Sequence, residues 1–145
     1  MASWRENASP QAQQALDELL NVALGFAQQE LTSHGEFFPY AVVMRADGQT
    51  ELVAPRPEAA DDQPASADMI AACRTTLAKR RDHLRAAALV ADVRLPDGGD
   101  AVQVELEHTE GVALTVQLPY SKKRFTRDID YGQLRAAAGA RQVWL

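Results

Sequence analysis

Val102-Gln103-Val104-Glu105-Leu106-Glu107-His108-Thr109-Glu110-Gly111-Val112-Ala113-Leu114-Thr115-Val116-Gln117-Leu118 is the stretch on which the fold turns. Val102, Val104 and Leu106 alternate with Gln103, Glu105 and Glu107. Successive side chains of a strand point to opposite faces, so this run is a strand with one buried and one wet face. Val112, Leu114, Val116 and Leu118 alternate with Ala113, Thr115 and Gln117 in the same way, and Thr109-Glu110-Gly111 supplies the turn between the two runs. The two therefore pair as an antiparallel hairpin.

Upstream, residues 84–93 (Leu-Arg-Ala-Ala-Ala-Leu-Val-Ala-Asp-Val) fit either a helix extension, on alanine propensity, or a strand buried on both faces. The strand is preferred, because Val90, Val93 and Leu95 lead straight into the turn Pro96-Asp97-Gly98-Gly99. Phe37 to Met44 and Thr50 to Val53, joined around Asp47-Gly48, read as another hairpin, with Pro39 at a strand start because it cannot donate to a ladder.

Two helices complete the pattern. Ser9-Pro10 offers a capping hydroxyl and a proline at the first helical position. Ala12, Ala15, Leu16, Leu19, Ala23, Phe26 and Ala27 then recur at helical spacing until His34-Gly35 closes the run. Ser66 is expected to cap the second helix, where Met69, Ile70, Cys73 and Leu77 form a stripe and Lys79, Arg80 and Arg81 gather at the end, complementing the dipole. Residues 54–65, with three prolines, Glu58, Asp61 and Asp62, read as an acidic surface loop. Residues 121–145 read as an extension with a basic segment, Lys122 to Arg127, and a short helix over Leu134 to Ala138. Val143-Trp144-Leu145 is too apolar to be an unattached tail.

The implied order is α-β-β-α-β-β-β-α, an α+β sandwich with an antiparallel sheet of about five strands and two main helices. A length of 145 residues fits one domain. This order resembles that of roadblock, longin and profilin-like folds, which are scaffolding and regulatory modules. The resemblance is one of topology, carries no diagnostic motif, and implies no site residues.

Composition narrows the chemistry. With 46% hydrophobic and 24% charged residues the chain can form a core, and a net charge of −5 argues against a general nucleic-acid or membrane-surface binder. A single cysteine excludes an intramolecular disulfide and any multi-cysteine zinc site. The start of the sequence carries no secretory pattern, and the apolar stretch Ala86 to Ala91 is far short of the roughly 18–20 residues of a membrane helix, so a cytoplasmic location without membrane attachment is expected.

Candidate sites are few. Glu105, Glu107, His108 and Glu110 are close in sequence, but alternation puts the first two on one face and His108 on the other, against a metal site. Cys73 falls on an apolar stripe, where a thiol is a core group. His34 and His83 sit near helix ends, which suits imidazole without any catalytic role. No nucleophile elbow, phosphate-binding loop, dinucleotide turn or zinc-binding helix motif is present. No residue is assigned a catalytic, cofactor-binding or metal-ligating role, and no cofactor is expected.

The charge distribution is more informative. Residues 1–73 hold 3 basic and 11 acidic side chains, and residues 74–145 hold 12 and 9, so −5 is the sum of −8 and +3. Arg80, Arg81, Lys122, Lys123, Arg124 and Arg127 would form one basic face if their segments lie together. With Trp144 they are the candidate partner-binding residues. Phe37, Phe38 and Tyr40 are, with Trp144, candidate apolar anchors, at least two of which are expected in the core instead. These features point to a non-catalytic protein-interaction or regulatory module that self-associates as a homodimer or docks an acidic protein, since opposite fields steer association. Strand 86–91 and the second helix are the expected meeting place of two copies. The alternatives are a small-molecule-binding domain or enzyme with a pocket bordered by Tyr40, Glu105 and His108, and anion or nucleic-acid binding at the basic face.

Overall fold

A computed structural model describes residues 4–55, 65–126 and 128–144. After a single 3₁₀ turn at Trp4–Asn7, helix α1 spans Pro10–His34. Ser9 caps it, its hydroxyl accepting from the Ala12 N–H at 3.1 Å. At the other end Gly35 takes the left-handed conformation and its N–H donates to the Leu31 carbonyl at 2.9 Å. Strands β1 (Tyr40–Arg45) and β2 (Thr50–Val53) form the first hairpin. Helix α2 is Ser66–Arg80, and one 3₁₀ turn, Arg81–His83, separates it from β3 (Leu84–Arg94). Strands β4 (Asp100–His108) and β5 (Ala113–Lys122) follow, then β6 (Ile129–Tyr131) and β7 (Arg135–Ala138).

The fold is α+β, with an antiparallel sheet ordered β2-β1-β3-β4-β5-β6 and β7 added beside β5. The helices lie on opposite faces. Tyr40, Val42, Met44, Ala86, Ala88, Val90, Val102, Val104 and Leu106 form one face under Leu16, Leu19, Ala23, Ala27 and Leu31 of α1. Ala41, Val43, Ala87 and Leu89 form the other under Cys73 and Leu77 of α2, closed by Val143. Strand β3 is therefore buried on both faces, and its alanines let both helices approach the sheet. Burial on two sides is what selects strand over helix for residues 84–93.

Three expectations are corrected. Residues Leu134 to Ala138 form no helix: Arg135–Ala138 is strand β7, paired with Gln117 to Leu114 of β5. A single helical turn gains too little to nucleate, whereas the outer edge of β5 offers a ready row of backbone partners. That edge also recruits β6, so the sheet has seven strands, against the five read from the sequence. Helix α2 is not capped by Ser66. Ala65 occupies the cap, and its carbonyl accepts from the N–H groups of Asp68 and Met69, leaving Ser66 already inside the first turn. Of the acidic loop 54–65, residues 56–64 lie outside the described residues.

Candidate functional site

The basic residues do not come together in one face. Arg80, at the end of α2, pairs with Glu51 on the edge strand β2. Arg81 is exposed in the 3₁₀ turn that follows. Lys122 ends β5, four strands away in the sheet order, a separation of about 19 Å at ~4.8 Å per strand. Its ammonium lies on the α1 side, 3.6 Å from where a Cβ on Gly35 would stand. Lys123 reaches Asp130 at 3.8 Å, and the Arg124 guanidinium lies 5.5 Å over the Phe125 ring, which is 90% exposed. Arg127 lies outside the described residues. An open groove of about 360 Å³ runs between the end of α1 and this segment, lined by His34, Lys122, Lys123, Thr126 and Ile129. Its cations sit at the carbonyl end of α1, where they offset the helix dipole.

Part of the charge split is absorbed within the chain. Arg80 of the basic half meets Glu51 of the acidic half, whereas Arg74 is paired within the basic half, with Glu105 of β4 at 3.0 Å. Arg85 donates to the Ala46 carbonyl at 2.8 Å.

Trp144 is tied to its own domain by Glu107, which the sequence placed in a rejected metal cluster and not against the C-terminal residues. Glu107 is only 5% exposed, on the face of β4 that α2 leaves open. Its carboxylate accepts from the backbone N–H groups of Gln142 (3.1 and 3.2 Å), Val143 (2.8 Å) and Trp144 (3.0 Å). Residues 139–144 thus form a strap that leaves β7 at Gly139 and crosses back to α2, burying Val143 beside Leu77, Ala87 and Leu89. Alternation along β4 placed Glu107 on the wet face. Nothing in the local pattern marked the distant strap as its cover.

The other chemistry-bearing groups are separated. His108 and Tyr40 are both 2% exposed on the α1 face, whereas Glu105 is on the opposite face, so the pocket expected between these three does not form. The His108 Nδ1 accepts from the Glu110 N–H at 3.1 Å, which puts the ring proton on Nε2, buried without a hydrogen-bond partner. Burial holds its pKa below the ordinary histidine value; Glu110 opposes that shift and Arg85 adds to it. Burial pushes the Cys73 thiol up to about 11, which keeps it protonated. At the far end of β3, the Tyr120 hydroxyl donates to Asp92 at 2.7 Å. Among the described residues no group of three or more His, Cys, Asp or Glu is placed to hold a metal ion. No described helix is long and apolar enough to cross a membrane.

Of the aromatic anchors, Phe37 and Tyr40 are core residues in edge-to-face contact, and Phe38 is 44% exposed. Of the meeting place expected for two copies, strand 86–91 is closed, being paired on both edges and covered on both faces, while the outward face of α2 is exposed.

The described sheet has two edges, β2 and the β6–β7 pair beside β5, and the second is built of small residues. Ile129–Tyr131 pairs with Lys122 to Tyr120 and Arg135–Ala138 with Gln117 to Leu114, the register slipping by one residue between them. Strands β6 and β7 are thus one bulged edge beside β5. All four β7 residues are exposed, and the adjoining Leu134 is 51% exposed. The Gly139 N–H donates to the Ala113 carbonyl at 3.1 Å. Inward and outward backbone groups alternate along an antiparallel strand, so Ala136 and Ala138 present their N–H and C=O groups outward.

No protein-family model, curated protein or solved structure matches this chain.

Proposed function

We propose that the protein is a non-catalytic interaction module whose copies associate through the β6–β7 edge. The observation that carries this reading is β7 itself: a fully exposed edge of three alanines with outward-facing backbone groups. Natural sheets blunt such edges with inward charges, proline or a covering element, because an open edge templates pairing with another chain. Within β7 only Arg135 is charged, and alanine offers no side chain to obstruct a second strand. Antiparallel addition of the same edge from a second copy would pair Ala136 and Ala138 and continue the sheet across a two-fold axis. Backbone hydrogen bonds would then carry the association, with exposed Leu134 adding apolar contact.

Light scattering behind a sizing column at about 50 µM tests this. A dimer is expected at both low and high salt, because main-chain pairing is less screened than surface ion pairs. Ala136→Pro removes an outward N–H while sparing the bonds to β5, and is expected to give a monomer with unchanged circular dichroism. A wild-type monomer in both buffers would sink the proposal.

A further inference from the structure

We infer that the cradle around Glu107 is a binding site for a bent apolar segment, filled in the isolated chain by the strap 139–144 and open to the same strap from a second copy. The inference deepens the association reading above and rests on it for the identity of the partner. The geometry of recognition comes from the strap as it lies. Three consecutive N–H groups, those of Gln142, Val143 and Trp144, converge on one nearly buried carboxylate. Recognition of this kind reads main chain, with a pocket for one side chain; here Val143 enters between Leu77 and Leu89 and Trp144 packs over it.

Two further observations make the strap a displaceable occupant. Its connecting residues Ala140, Arg141 and Gln142 are exposed, so among the described residues it is held at its two ends, by Gly139 on Ala113 and by the Glu107 bonds with the burial of Val143. Beneath it lies a cavity of about 20 Å³, bordered by Arg74, Leu77, Glu105, Glu107 and the strap residues Ala140 and Val143. That is room for about one water, so the fit is not closed to core density. The Arg74 guanidinium and Glu105 carboxylate, 3.0 Å apart at its rim, keep this border polar. Because a strap delivered by another copy makes the same contacts as the one in place, exchange costs no contact energy and is governed by concentration and linker geometry.

The test uses the full chain with the cradle vacated, Val143→Ala/Trp144→Ala, titrated with a labelled synthetic peptide of residues 138–145 and read by fluorescence anisotropy. Ala136→Pro is added so that edge pairing plays no part, which separates failure here from failure of the edge dimer. Saturable binding is expected, at least tenfold tighter to the vacated chain than to Ala136→Pro alone, where the resident strap competes. Adding Glu107→Gln should weaken it about tenfold, as a charged acceptor becomes a neutral one. Should the double substitution fail to fold, Gln142→Pro, which deletes one N–H to Glu107, loosens the strap in its place. Absence of saturable binding to a vacated chain that circular dichroism shows to be folded, or binding indifferent to Glu107→Gln, overturns the inference.

Discussion

The Glu107 carboxylate and the Trp144 backbone N–H, 37 positions apart in sequence, meet at 3.0 Å. With the two neighbouring N–H groups they fasten the strap over the second hydrophobic cluster, so a charge does work that apolar contact alone does not do on this side of the sheet. Replacing it should expose that dependence. Glu107→Ala leaves the three donors without their acceptor and is expected to cost about 2–4 kcal/mol, since an abandoned buried donor loses more than the bond was worth. For a domain of this size that is roughly a 10 °C fall in melting temperature. In a Trp4→Phe background, Trp144 emission should shift to the red at temperatures where circular dichroism is still native. A variant melting within a degree of wild type would show that Val143 and Trp144 hold the strap unaided.

Gly139 is the second fixed point of the strap. A Cβ built there would stand 2.9 Å from backbone atoms of Leu114, too close for any side chain, and Leu114 is held by strands on both sides, opposite Leu106 and Ala138. Gly139→Ala is therefore expected to push β7 off β5 and to destabilise the fold by about 1–3 kcal/mol, as overpacking does. Amide exchange of β7 should accelerate more than that of β3. Uniform loss of protection across both strands would show that the edge does not open separately.

The register of the central strands was legible because one residue in two of β4 and β5 is apolar, and β3 because its alanines and valines run into a glycine turn. Helix α1 was marked at both ends by Ser9-Pro10 and Gly35. Residues 134–138 differ from the helix their sequence suggests for a physical reason: Ala136, Ala137 and Ala138 favour helix locally, and only the vacant edge of β5, a product of the tertiary fold, makes them a strand. The site was less legible still. Glu107 occupies a position whose period marks it as solvated, and its burial depends on a strap 35 or more residues away that its own neighbours do not announce. The basic face failed for the opposite reason, since sequence clustering says nothing about which helix lies on which side of a sheet.

Asp92 and Tyr120 supply a prediction about charge. Burial raises the Asp92 carboxyl above its ordinary value, the Tyr120 hydroxyl opposing and Asp100 adding to the shift. A carboxyl whose folded pKa lies above its unfolded one holds its stabilising effect below the unfolded value, and that effect is lost as pH rises through the folded value. At neutral pH the ionised group is thus a cost. Asp92→Asn keeps an acceptor for Tyr120 and is expected to melt higher than wild type at pH 7, the difference closing as pH falls toward about 4. Tyr120→Phe removes the donor and is expected to destabilise by about 1–2 kcal/mol. Thermal melts from pH 4 to pH 8 check both, and an Asp92→Asn variant less stable than wild type at pH 7 would show that the carboxylate charge is favourable after all.

His108 gives the fold a dependence of opposite sense. Its ring accepts from the Glu110 N–H and carries its proton on a buried, unpartnered Nε2, so the neutral form is the one the fold accommodates. The charged groups that face it are Glu110, which favours protonation, and Arg85, which disfavours it, with burial outweighing both. Glu110 in turn accepts from the Ser9 hydroxyl at 2.9 Å, which ties this turn to the cap of α1. For a histidine whose folded pKa is depressed, the unfolded chain binds the extra proton first, so stability is lost as pH falls from about 6.5 toward the folded value. Protonation would also convert Nδ1 from acceptor to donor and set it against the Glu110 N–H. Melting temperature is therefore expected to fall between pH 7 and pH 5 in wild type, and His108→Gln should flatten that fall while lowering stability at pH 7. Protection of the Glu110 and Ala12 amides relative to their intrinsic exchange rates at each pH should fall in step with the acid loss in wild type alone. An unchanged pH slope in His108→Gln would assign the acid sensitivity to other groups.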